Sequence, residues 1–269
     1  MTALRSILPI LLCAACFNPS DDDTADTAQF DTDADTDTDT DADTDTDADT
    51  DTDADTDTGS GASCPDFFPA DVEGIVWTYE TTRDDGSVVV WTQSVYPASA
   101  GRFTLHSEID GATSNLYYQC GDDQSVEALG GDALSDGIST EFTYTPALTF
   151  WAGGAPTVGT SWTSSGQQSG TWRGFGAAGT FTNTVSASWV VTGADLTYDL
   201  GEQTLTGCHH YTRQASTVSD GSIITTAELG IYCGSLYGLV WTDVVTTTEA
   251  GGAVLTGESF TRLIDVRFP

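Results

Sequence analysis

The chain contains no lysine. Its only cations are seven arginines, scattered from Arg5 to Arg267, against 41 acidic side chains, for a formal net charge of −34. So few dispersed positive charges form no basic patch, which argues against binding nucleic acid or docking a folded surface on anionic lipid headgroups. Sustained helical periodicity is missing too; one short turn over Ser125 to Leu134 is the exception expected. No Gly-x-Ser-x-Gly nucleophile elbow occurs, and the glycine-rich stretch Gly170 to Gly179 lacks the Lys and helix start of a phosphate loop. Cys64, Cys120, Cys208 and Cys233 are not at the close spacing of zinc sites, so no metal site is expected. With acids this abundant, any pair of carboxylates nominated for glycoside hydrolysis would be arbitrary. The expectation is a non-enzyme without a cofactor.

What is present begins with a leader: one positive charge at Arg5, the apolar run Ile7 to Leu12, then Cys13-Ala14-Ala15-Cys16. The run is far short of the roughly 20 residues that span a bilayer, and small residues before Cys16 suit a peptidase, so residues 1–15 read as a signal peptide. From Asp21 to Thr58 follow eighteen aspartates, mostly as Asp-Thr or Asp-Ala, with no basic residue. Such a segment has almost no apolar surface to offset ordering entropy and repels itself. Residues 16–62 are therefore expected to be a disordered acidic linker. The alternating Asp lacks the turn glycine and late Glu of a calcium loop.

Cys13-Ala14-Ala15-Cys16 resembles the lipobox of bacterial lipoproteins. The resemblance implies that Cys16 receives diacylglycerol and becomes the mature N-terminus, and Phe17, in place of Asp, is compatible with sorting to an outer membrane. Cys13 stands where that family usually has Leu; cleavage by an ordinary signal peptidase to a soluble secreted protein is the alternative.

With Cys13 removed and Cys16 lipidated, Cys64, Cys120, Cys208 and Cys233 remain, an even number suited to an oxidising compartment. Asp220-Gly221 is a two-residue hairpin signal, and a hairpin centred there opposes Cys208 to Cys233 at a non-hydrogen-bonded position, where α-carbons approach closely enough for a disulfide. The same register sets Arg213 opposite Glu228. Cys64 with Cys120 follows by exclusion. Asp85-Gly86 and Asp110-Gly111 repeat the hairpin signal. Folding about the latter opposes Phe103 to Tyr118, Leu105 to Leu116 and Ile109 to Ala112 on one face. Thr104, His106 and Glu108 meet Tyr117, Asn115 and Thr113 on the other, the alternation of an antiparallel sheet with one wet face.

Gly-x-x-Trp-Thr recurs at Gly74-Trp77, Gly159-Trp162 and Gly238-Trp241. Each copy is expected to open a strand, with the tryptophan as an inward anchor. Here, through Gly74, Trp77 and Tyr79, the middle Gly-x-x-Trp, and Tyr237 with Gly238-Leu239-Val240, the domain resembles a broad group of uncharacterised bacterial envelope lipoproteins, over most of Phe67 to Ile264. The resemblance implies a β-rich envelope domain and carries no catalytic residue. Trp91, Trp151 and Trp172 are the candidate ligand contacts, the latter two beside glycine-rich segments. Adjacent His209 and His210 point to opposite faces of a strand and cannot share one metal ion.

The expected fold is all-β: residues 63–269 form a single antiparallel domain, a strongly curved sheet or closed barrel, with a two-sheet sandwich as the alternative. The expected role is a lipid-anchored, non-catalytic binding or structural module of the cell envelope. Its membrane contact would run through the anchor, with an envelope protein, glycan or lipid as ligand. The alternatives are a carrier enclosing a lipid or other apolar ligand in a curved sheet, and a secreted hydrolase using His106, His209 or His210.

Overall fold

A computed structural model describes residues 64–65, 68, 72–98, 101–154, 157–201, 203–234 and 237–269. The leader, Cys16 and the Asp/Thr tract lie outside the described residues. The described chain is all-β: β1 (Val76–Arg83), β2 (Val88–Pro97), β3 (Arg102–Ile109), β4 (Ala112–Cys120), β5 (Ser125–Ser135), β6 (Ile138–Ala152), β7 (Ser161–Gly174), β8 (Ala177–Asp199), β9 (Thr204–Ser219), β10 (Ser222–Cys233), β11 (Gly238–Ala250) and β12 (Ala253–Arg267). Each strand pairs antiparallel with its neighbours in sequence, and β1 pairs with β12, so the meander closes into a barrel. Closure leaves no free edge strand.

Tight turns set the register. Asp110-Gly111 has φ of 48° and 80°, and Asp136-Gly137 has 51° and 78°. Both residues are left-handed in each, the mirror-image turn whose twist suits a hairpin. The first turn aligns Phe103 with Tyr118, Leu105 with Leu116 and Ile109 with Ala112. The hairpin through Asp220-Gly221 aligns Cys208 with Cys233 and Arg213 with Glu228. Both disulfides, Cys64–Cys120 and Cys208–Cys233, are formed, and the α-carbons of the second lie 4.0 Å apart. They sit at the end of the barrel where the chain enters, opposite the Asp-Gly tips.

Two expectations are corrected. Ser125 to Leu134 is not a helical turn but most of β5, laddered to β4 and β6. A side chain at Gly131 would meet the Asn115 carbonyl and the Phe142 ring, so the glycines let neighbouring strands close in where helical propensity alone decides nothing. Of the repeated tryptophans, Trp77 is 2% exposed and faces inward, and Trp162 stacks inside on Trp189 at 5.6 Å. Trp241 instead lies edge-on to the exposed ring of Phe260. A bulge opposite Ile231/Tyr232 inserts Val240 into β11, and that extra residue takes the buried place.

The outer face of β7 and β8 presents Thr163, Ser165, Gln167 and Ser169 beside Thr180, Thr182, Thr184 and Ser186, all exposed. This hydroxyl-rich surface interrupts any apolar belt around the barrel of the kind that meets lipid in membrane-spanning barrels. Among the described residues no helix is long and apolar enough to cross a membrane.

Closing loops with sequence separations of 25 and 56 residues contributes about 3.5 and 4 kcal/mol by restricting the unfolded chain. The paired substitution Cys208→Ser with Cys233→Ser is expected to lower the unfolding free energy by about 3 kcal/mol while leaving the sheet signal of the native state intact. Denaturant titration followed by circular dichroism checks both.

Candidate functional site

Inward side chains do not fill the barrel. They leave a cavity of about 200 Å³ whose wall includes Trp77, Trp91, Leu105, Phe150, Trp189 and Tyr232. For scale, a cavity of about 150 Å³ lined by Leu, Ile and Phe holds benzene or xenon, and sites for drug-sized ligands run from about 300 Å³. The space suits a compact molecule.

One end of the cavity is stopped by an aromatic plug. Phe68, 5% exposed, packs against Phe103, Tyr118, Phe150 and Tyr232 with ring centroids 5.4–6.1 Å away. Cys64–Cys120 ties the segment just before it to the end of β4. Towards the β7–β8 hairpin tip lies a buried amide pair, with Asn183 Nδ2 donating to Gln168 Oε1 at 2.8 Å.

A charged row crosses the wall at mid-height. Trp189, Arg213, Glu228 and Val244 are successive register partners on β8, β9, β10 and β11. Arg213 Nη1 donates to Glu228 Oε2 at 3.1 Å, with the two side chains 12% and 9% exposed. Its guanidinium carbon lies 5.3 Å from the centre of the Trp189 ring, within cation–π range. Tyr211 OH donates to the other Glu228 oxygen. Tyr211 reaches it by lying over Gly230, where any Cβ would collide with the phenol. The ion pair was legible as a cross-strand match in the sequence; its place inside the barrel was not, since pairing does not tell which face of a strand turns inward.

The three candidate tryptophans fall on strands, not on exposed loops. Trp91 is 7% exposed, stacks on Tyr79 at 4.4 Å and donates through Nε1 to Thr81 Oγ1 at 2.9 Å. It is part of the cavity wall. Trp151 is buried, edge-on to Trp162 at 5.0 Å, and contributes to the core. Trp172 lies half-buried over Gly179, filling the place of the missing side chain. Flanking glycines misled because they mark close strand contacts here as well as turns.

None of the three histidines is part of the cavity wall. His106 alternates with Leu105 and Ser107, which are, and its Nδ1 donates to Asn115 Oδ1 at 2.8 Å. His209 and His210 pair with Tyr232 and Ile231; burial holds the His209 pKa below its ordinary value, against a smaller opposing pull from Asp195. Among the described residues no group of three or more His, Cys, Asp or Glu side chains is placed to hold a metal ion.

No protein-family model matches the chain, and no curated protein does. Among solved structures, the hypothetical lipoprotein YmcC of Escherichia coli is similar at 12% identity and a TM-score of 0.34, over 72% of this chain and 89% of that one. A candidate lipoprotein of Parabacteroides distasonis is similar at 12% identity and a TM-score of 0.36, over 76% of this chain and all of its own. At these values the likeness carries no argument about role.

Four phenols are buried in and around the wall. Burial pushes the Tyr118 pKa up to about 12, raises Tyr79, and lifts Tyr211 and Tyr232 well above the ordinary value with the Glu228 charge adding to it. A folded-state pKa above the unfolded one means that stability is intact below about pH 10 and falls as pH rises. For Tyr118 the window runs from about 10 to about 12, a loss on the order of 2–3 kcal/mol. Phenolate absorbance is expected to show these tyrosines ionising only together with loss of the barrel's circular dichroism, after the exposed tyrosines have titrated.

Proposed function

We propose that the chain is a lipid-anchored, non-catalytic binding module of the bacterial cell envelope whose barrel carries a small apolar ligand. The observation that supports this reading is the cavity of about 200 Å³ walled by Trp77, Trp91, Phe150 and Trp189. A β-domain serving only as a scaffold gains from filling such a space, because an empty interior forfeits packing contacts at about 24 cal/mol per Å³. Cys16, with the small residues before it, supplies the anchor in this reading. The long acidic tract keeps the barrel at a distance from an outer membrane or cell surface.

Wild-type chain is expected in the membrane fraction, and the Cys16→Ser chain in the soluble one; wild-type protein in the soluble fraction contradicts the anchor. Native mass spectrometry of the Cys16→Ser chain, purified without detergent, is expected to show an added mass that denaturation releases. A bare mass, together with no heat on titration with toluene, contradicts the carrier.

A further inference from the structure

Four residues of the cavity wall carry polar atoms that are buried and have no hydrogen-bond partner among the described residues: Tyr79 Oη, Trp189 Nε1, Arg213 Nε and Thr242 Oγ1. Tyr79, Trp189 and Thr242 are 1%, 4% and 7% exposed. The four stand on β1, β8, β9 and β11, one continuous arc of the barrel, since β1 lies two places from β11 through β12. Two of these atoms, the indole and guanidinium nitrogens, can only donate, and the two hydroxyls are free to do so. Buried donors without partners are costly in a folded protein and uncommon. Tyr79 shows it most plainly. Its ring stacks on Trp91 at 4.4 Å, a contact that phenylalanine would preserve, so folding alone makes no use of the hydroxyl.

The arc also limits charge. Arg213 is already balanced by Glu228, whose second oxygen takes the Tyr211 hydroxyl. An anionic ligand beside Arg213 would set a second negative charge against Glu228 in a site poorly screened by water, and a cation would meet the guanidinium itself.

Resting on the carrier reading above, we propose that the ligand is an uncharged molecule with an apolar body and a hydrogen-bond-accepting oxygen, a ketone, ester or amide, recognised by the arc of β8, β9, β11 and β1. The aromatic wall takes the body, and one or two of the donors on this arc, which all belong to side chains of the wall, take the oxygen. Small rotations of the Thr242 and Tyr79 hydroxyls direct their protons to it.

Three compounds of nearly the same shape separate the possibilities: acetophenone, which has the acceptor; α-methylstyrene, which replaces the oxygen with a methylene; and benzoate, which carries a charge at neutral pH. Calorimetric titration of the full Cys16→Ser chain is expected to show acetophenone binding about tenfold tighter than α-methylstyrene, the effect of one or two net hydrogen bonds, even though water favours the ketone. Benzoate is expected to bind at least tenfold more weakly than acetophenone. If α-methylstyrene binds as tightly as acetophenone or benzoate binds best, this inference is overturned while the carrier reading stands. If none binds, both fall. Tyr79→Phe is expected to raise the thermal midpoint, to cut acetophenone affinity several-fold and to leave α-methylstyrene affinity unchanged. A Tyr79→Phe chain that is less stable, or that loses both ligands equally, overturns the role assigned to the hydroxyl.

Discussion

The structure depends on the pairing of β1 with β12. These strands are the first and last of the barrel, and their ladder is the step that converts a twelve-strand meander into an enclosure. Within the seam Thr81 and Thr261, 180 residues apart in sequence, share a buried hydrogen bond of 2.8 Å. Trp91 of β2 donates to the same threonine, so the seam is tied directly to the cavity wall. Arg262 and Glu80 add an ion pair on the outside at 2.6 Å, but with the arginine side chain 55% exposed it contributes little beside the ladder itself. Were the seam open, both edge strands would offer unpaired backbone to other chains, and the interior would be a groove in water.

Inside that enclosure, one paired charge row stands out from the wall. The row Trp189–Arg213–Glu228 is a consequence of register: the Asp220-Gly221 turn fixes which residues of β9 and β10 face each other, and the β8 ladder brings Trp189 alongside. Gly230 makes room for Tyr211 to reach Glu228. A buried ion pair of this kind is weak evidence for stability, since desolvation offsets most of its Coulomb energy. Its consequence is organisation. It holds a neutral but strongly polar element in a wall that is largely aromatic and aliphatic elsewhere, with the orphan donors on the same arc of strands.

Local features were legible in the sequence and global ones only in part. Two-residue turns carry their own signal, so the registers about Asp110-Gly111 and Asp220-Gly221, the Cys208–Cys233 bridge and the Arg213–Glu228 pair followed from counting outward. Closure was one of the expected outcomes because successive hairpins leave two edges to be hidden. Strand phase was not legible wherever a bulge intervenes. Trp241 looked equivalent to Trp77, and the extra Val240 reverses its side. Trp151 and Trp172 looked like loop residues because glycine neighbours mark turns more often than close strand contacts. The cavity could not be read at all, since it depends on how residues from ten or more strands meet across the barrel, and no one-dimensional pattern records a space that nothing fills.

The central claim is that the barrel interior is an open, ligand-sized apolar space and not a packed core. A crystal of the protein stripped of ligand by unfolding and refolding, then pressurised with xenon, tests it most directly, because xenon enters dry apolar cavities of about 150 Å³ and larger without needing any specific partner. The account predicts a xenon atom among Trp91, Phe150 and Trp189. An interior without xenon, filled by side chains in contact across the same space, would contradict it.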